Sequence, residues 1–313
     1  MKETCVKIPI IVVVGPTASG KTSLAIEIAK QYNGEIVSAD SMQIYKGFPI
    51  ACAAPTLEEK KQAVHHLVEF LEPSVKFSVA DYVILASEKI RDIFERGKVP
   101  VVVGGTGLYI NSLVDGIVFG QQKTDATLRQ ELEDMFDSLG GEEMLRRLSE
   151  FDSMSAQRLN VGDRRRIIRA FEVYKLSGIT ISQQNELSKA QESPYSPVMI
   201  GITYKDREKL YERINKRVDI MLENGLVEEA RAFGEKGITA AQAIGHKELI
   251  PYFKSEATLD EAIDTLKRET RRYAKRQLTW FRRDDRIHWI YADEENVCEK
   301  AKEIINKKVI TNV

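Results

Sequence analysis

The sequence predicts an α/β fold, a parallel sheet flanked by helices with an all-helical segment inserted into it. Three observations lead there. An apolar, β-branched run from Ile10 to Val14 feeds a glycine-rich loop and then an amphipathic helix. Two further buried runs, Glu35–Ala39 and Val99–Val103, alternate with helical patterns, the order that builds parallel strands through right-handed crossovers. From residue 121 to residue 197 strand signals vanish, and Val198–Thr203 then restores one. The core is therefore assigned to residues 1–120 and 198–313, and the helical insertion to 121–197.

The first strand ends in Gly15-Pro16-Thr17-Ala18-Ser19-Gly20-Lys21-Thr22, which fits the pattern G-x-x-x-x-G-K-[ST] of a P-loop. Its glycines let backbone N–H groups point at phosphate oxygens, Lys21 adds a point charge, and the Thr22 hydroxyl is placed to ligate magnesium. The expected core is thus P-loop NTPase-like. After the next strand comes "SADSMQIYKG", residues 38–47, in which Asp40 is either a general base facing the phosphate compound or a helix N-cap.

Ser78-x-x-Asp81 reads as a capping box opening a crossover helix that runs to Gly97, with Val79, Tyr82, Val83, Ala86, Ile90, Ile93 and Phe94 on one face. The helix delivers the chain to Val99–Val103, which enters the turn Gly104-Gly-Thr-Gly107. P-loop ATPases place a magnesium-holding acid at the end of such a strand, and here none follows. All three loops fall at carboxyl ends of strands, where ligands of parallel sheets gather. Past the insertion, Asp206 caps a helix through Leu210, Ile214, Val218 and Leu222, with Arg213 and Arg217 a turn apart on another face.

Composition narrows the class. The chain has 313 residues, 43% hydrophobic content and a net charge of −1, ample for a packed interior and too balanced for uniform nucleic-acid wrapping. No stretch approaches the roughly 18 apolar residues of a membrane span, and the N-terminus lacks a signal-peptide core, so a cytoplasmic protein is expected, with a monomer as the default. Cys5, Cys52 and Cys298 are read as reduced thiols, and His65, His66, His246 and His288 as structural. Basic residues concentrate in "DRRRIIRA", 163–170, and in "KRETRRYAKRQLTWFRRDDR", 267–286. Each is a solvated helix face or an RNA footprint, and Tyr273, Trp280 and Phe281 among the arginines suit stacking on bases.

"GPTASGKT", "SADSMQIYKG", "GGTGLYI", "GDRRRIIRAFEVY", "RINKRVDIMLENGLVEE", "QAIGHKE" and "TRRYAKRQLTWFRR" follow one another over residues 8–285. This ordered set resembles the motifs of tRNA dimethylallyltransferases of the bacterial type. The resemblance implies that the P-loop binds the diphosphate of dimethylallyl diphosphate, with Mg²⁺ on Thr22, and that the acceptor is the exocyclic amine of adenosine 37 in the tRNA anticodon stem-loop. It assigns catalysis to Asp40 as base, Arg217 at the leaving group and Thr106 in the reaction channel. It assigns tRNA contacts to Asp40, Ser41, Met42, Gln43 and Thr106, with Gln43 offering donor and acceptor to a base edge. Further contacts fall to Arg165, Arg166, Ile167, Ile168 and Arg169, and to Gln242, Lys275, Arg276 and Arg282. From the residues alone, Thr106 is equally a turn residue and Arg217 equally a surface arginine. An adenylate isopentenyltransferase and a P-loop small-molecule kinase are the alternative readings.

Overall fold

The computed structural model describes residues 7–117, 119, 125–189, 192–234 and 243–310. Strands are β1 (Ile8–Val14), β2 (Gly34–Ser38), β3 (His65–His66), β4 (Val99–Gly104), β5 (Tyr195–Thr203) and β6 (Ile287–Tyr291). They form one sheet in the order β3-β2-β4-β1-β5-β6. Every pairing is parallel. Helices of the first third are α1 (Lys21–Gln31), α2 (Leu57–Gln62), α3 (Val79–Glu95) and α4 (Gly107–Val114).

The middle of the chain supplies α5 (Ala126–Ser149), α6 (Ser153–Arg158), α7 (Arg164–Ser177) and α8 (Ile181–Lys189). The C-terminal part supplies α9 (Arg207–Glu223), α10 (Leu226–Gly234), α11 (Ile250–Phe253), α12 (Leu259–Phe281) and α13 (Val297–Ile310). None is long and apolar enough to cross a membrane, among the described residues.

A parallel sheet covered on both faces buries both sets of alternating side chains, which is why β1 reads as a continuous apolar run. Ile10, Val12 and Val14 pack with Val37, Val102 and α3 residues Tyr82, Ala86 and Ile90 in one core. Ile11 and Val13 point the other way, into a core with Leu24 and Ile28 of α1 and Ile305 of α13. Helix α3 opens with the expected Ser78–Asp81 capping box and buries Tyr82, Ala86, Ile90 and Ile93. Phe94, expected on that face, stays 38% exposed.

Several differences from the sequence reading concern strands, and β3 (His65–His66) has no counterpart there. β5 starts at Tyr195, ahead of Val198, and so contains Pro197. That proline is tolerated because β6 pairs only with Met199–Thr203, leaving one side of β5 open at Pro197. β6 lies inside the C-terminal region expected to be helical, and closes the sheet beyond β5.

The chain divides into two compact units, one built from the segments up to Val114 and from Pro194 onward, the other from Asp115–Ser193. The described elements of the second unit are α5 to α8. They enclose their own core of Leu132, Met144, Leu148, Ile167, Ile168, Ala170 and Phe171. Helix α5 is broken at Gly140, whose φ of 77° and ψ of 166° are not helical.

Candidate active site

The P-loop runs from the end of β1 to the first turn of α1. Gly20, with φ 96°, is the α1 N-cap, a left-handed position that a side chain would strain. The loop is fastened from several directions. Lys21 Nζ donates to the Pro16 carbonyl at 2.6 Å, Thr17 N–H donates to Gln277 Oε1 at 2.8 Å, and Arg213 Nε donates to the Ala18 carbonyl at 3.1 Å. The Ser19 hydroxyl is buried and has no hydrogen-bond partner among the described residues, which suits a loop that receives oxygen-rich ligands.

Asp40 follows β2. Its Oδ1 accepts the N–H groups of Met42 at 2.9 Å and Gln43 at 3.3 Å, so it caps the turn that follows. The other carboxylate oxygen has no hydrogen-bond partner among the described residues. Thr106, after β4, accepts the Ser41 N–H at 3.0 Å and donates to the Ser41 hydroxyl at 3.3 Å, which ties the turn to the loop carrying Asp40.

Two cavities meet at the P-loop. One of about 350 Å³ is lined by Thr17, Lys21, Thr22, Asp40, Ser41, Met42, Gln43, Arg217, Tyr273 and Arg276 among others. A second of about 860 Å³ shares Lys21, Thr22 and Arg217 and adds Arg213, Lys216 and Lys60. Burial and the neighbouring Arg217 push the Lys21 ammonium down to about 7, against an upward pull from Asp40. Burial likewise lowers Arg217. Lys21, Arg217 and Arg276 share the smaller cavity with the single carboxylate of Asp40, so the site carries more positive than negative charge and suits an anion.

The structure brings together most of the P-loop residues, the Asp40–Gln43 segment, Arg217 and Arg276, and revises four expectations. Gln43 offers no free amide to a base: its Oε1 accepts the Ser38 hydroxyl at 3.0 Å, and its Nε2 donates to the carbonyls of Cys52 at 3.3 Å and Ala53 at 2.9 Å. Ile167 and Ile168 are 0% and 1% exposed in the core of the helical unit, so their side chains cannot reach RNA. Arg169 is held by the buried Glu172 at 2.8 Å, which also receives Arg129. On that helix Arg165 and Arg166 face solvent, Arg166 within 3.7 Å of Asp163.

Lys275 and Arg282 are exposed at the C-terminal half of α12, outside the cavity lining. Gln242 lies outside the described residues, as does Cys5. Cys52 and Cys298 are free thiols. The sequence reading placed Tyr273 among the aromatics suited to stacking on bases and missed Gln277 as part of the site. Leu266, Thr270, Tyr273 and Gln277 recur at helical spacing and all line the smaller cavity, so the period of α12 carried that information.

A phosphate-binding loop, a carboxylate on the neighbouring loop and an Arg217 with no hydrogen-bond partner among the described residues define a P-loop enzyme of group transfer. The family model described as IPP transferase matches residues 43–284, and that described as isopentenyl transferase matches 8–68. A tRNA dimethylallyltransferase of Acetivibrio thermocellus is 48% identical over 295 residues, 93% of this chain and 94% of the relative. One of Thermoanaerobacter sp. is 44% identical over 305 residues, 96% of this chain and 97% of its own length. The solved tRNA isopentenylpyrophosphate transferase of Bacillus halodurans is 42% identical, with a TM-score of 0.70 and coverage of 98% and 96%. A eukaryotic dimethylallyltransferase solved while acting on tRNA has a TM-score of 0.79 at 26% identity, covering 97% of this chain and 80% of that one. The chain belongs to the tRNA dimethylallyltransferase family.

Proposed function

We propose that this chain transfers the dimethylallyl group from dimethylallyl diphosphate to the exocyclic amine of adenosine 37 in tRNA, acting as a monomer. The observation that carries the reading is the pair of cavities meeting at Lys21, Thr22 and Arg217, with Asp40 lining the smaller one. The larger, cation-rich cavity suits the diphosphate, and the smaller one an extruded adenine. The amine nitrogen attacks the first carbon of the allylic chain, the carbon–oxygen bond breaks with its electron pair going to diphosphate, and the nitrogen's proton passes to Asp40. Lys21, Arg217 and the P-loop amides stabilise the charge that grows on the leaving oxygen.

Magnesium fits the donor set, since the Thr22 hydroxyl and Asp40 carboxylate line the same cavity as Lys21. No cluster of three His, Cys, Asp or Glu side chains exists among the described residues, so Thr22 would hold an ion whose other ligands are phosphate oxygens and water. When bound it would supply further neutralisation of the leaving group. Labelled dimethylallyl diphosphate incubated with tRNA, with AMP, or with ATP in place of the prenyl donor separates the readings. Product on tRNA alone is expected; product on AMP instead identifies an adenylate isopentenyltransferase, and phosphoryl transfer from ATP a kinase.

A further inference from the structure

Gln277 is 5% exposed, and both ends of its amide are engaged. Its Oε1 accepts the Thr17 N–H at 2.8 Å, and its Nε2 donates to the Gly105 carbonyl at 3.0 Å. One planar group thus spans the two loops that follow the adjacent strands β1 and β4. From Gly105 the chain of contacts continues through the next residue: Thr106 holds the Ser41 N–H, beside Asp40. The fit is close. A Cβ on Gly105 would fall 2.1 Å from Gln277 Nε2, and the only other atom within 4 Å is Gln277 Cδ at 3.4 Å. The absent side chain at residue 105 makes room for this amide.

We infer that Gln277 is a positioning residue of the transfer reaction, fixing the distance between the diphosphate loop and the loop that carries Asp40. The inference rests on the prenyl-transfer reading of the cavity. Gln277 reaches the chemistry through backbone groups of its two neighbours, so its work is geometric. The amide supplies an acceptor and a donor at one tip, and both backbone groups it serves would otherwise be left unpaired beside the cavity. A displacement of about 1 Å between reacting groups costs about 10²-fold in rate, and this amide joins the diphosphate loop to the Gly105 turn, whose next residue holds the Asp40 loop.

The test is single-turnover prenyl transfer at saturating dimethylallyl diphosphate and tRNA, with tRNA affinity and melting temperature measured alongside. Gln277→Leu is expected to slow transfer about 30- to 100-fold while tRNA affinity changes less than threefold. Gly105→Ala is expected to do the same by displacing the amide. In a Gln277→Ala background the Gly105→Ala change meets no atom within 4 Å and is expected to cost nothing more. Gln277→Glu keeps the acceptor for Thr17 but sets a second acceptor against the Gly105 carbonyl, and is expected to lose at least tenfold. Transfer by the Leu and Glu variants within threefold of wild type overturns the inference. So does a double variant in which the two losses multiply, or losses of tRNA affinity that track the loss of rate. A wild type that leaves tRNA unmodified overturns the proposed function and this inference with it.

Discussion

Strand β2 carries a carboxylate near each end, and the two are treated in opposite ways. Glu35, at the start, is 3% exposed and gathers three partners: Arg96 binds both its oxygens at 2.6 and 2.8 Å, Lys98 at 2.6 Å and His66 at 2.7 Å. Arg96 above all, then Lys98 and His66, hold its carboxyl well below the usual range against the opposing effect of burial. Asp40, just past the other end, shares a cavity with Lys21 and Arg217 but forms no ion pair with either among the described residues. Arg217 has no hydrogen-bond partner there at all. Charge that the fold satisfies internally holds the sheet together, whereas charge left unsatisfied at the carboxyl edge is reserved for a ligand.

The largest break in this comparison is Asp40→Asn. It keeps the hydrogen bonds to Met42 and Gln43 yet removes the base, so single-turnover transfer should fall by about 10²–10⁴-fold with tRNA binding retained. Transfer within threefold of wild type would return Asp40 to a purely capping role.

Lys21→Ala comes next, with about 10²-fold slower transfer and weaker binding of inorganic diphosphate by calorimetry, but unchanged tRNA affinity. The same lysine sharpens the comparison through pH. Its folded value of about 7 means that it discharges as pH rises through neutrality, so part of the affinity for diphosphate should be lost above pH 7. That part should be missing from the pH profile of the alanine variant.

At the other end of β2, Glu35→Gln should leave the transfer rate unaltered and lower stability by about 2 kcal/mol, because Arg96 and Lys98 lose their anion while keeping partial access to water. A depressed carboxyl stabilises the fold above its unfolded value, about 4.3, and that contribution drains away as pH falls below it. Denaturant midpoints at pH 7 and pH 3 should therefore differ less in the Gln variant than in wild type.

The smallest effect is expected from Arg165 and Arg166. Changing both to alanine should reduce the slope of log tRNA affinity against log salt by up to about 1.4, with melting temperature nearly constant. An unchanged slope would make them solvated surface.

Much of this was legible in the residues, for identifiable reasons. Ile10–Val14, Ser78–Asp81 and Val99–Val103 each combine a local pattern with a clear stop, and the structure builds β1, α3 and β4 from them. His65–His66 and Ile287–Tyr291 were not read as strands, because a two-residue strand has no period and "IHWIY" lies next to a run of charges. The P-loop announced its own chemistry. Gln43 and Arg169 did not, since a motif states which residue is present and not whether its polar atoms are already taken. Gln277 shows the converse: its partners, Thr17 and Gly105, are remote in sequence and adjacent only once β1 and β4 pair.

The place of β1 in the sheet has a consequence for the chain while it is being made. β1 pairs with β5 along its full length, from Ile8 opposite Tyr195 to Val14 opposite Gly201. Val14 therefore leaves the ribosome about 190 residues ahead of its partner, a wait of about 10–40 s at 5–20 residues per second. Through that interval a strand whose Ile10–Val14 are destined for burial presents an open edge, the surface on which nascent chains stick to one another. The helical unit, contiguous in sequence and with a core of its own, is complete in sequence before that edge is covered, so the sheet is the last part of the molecule to close.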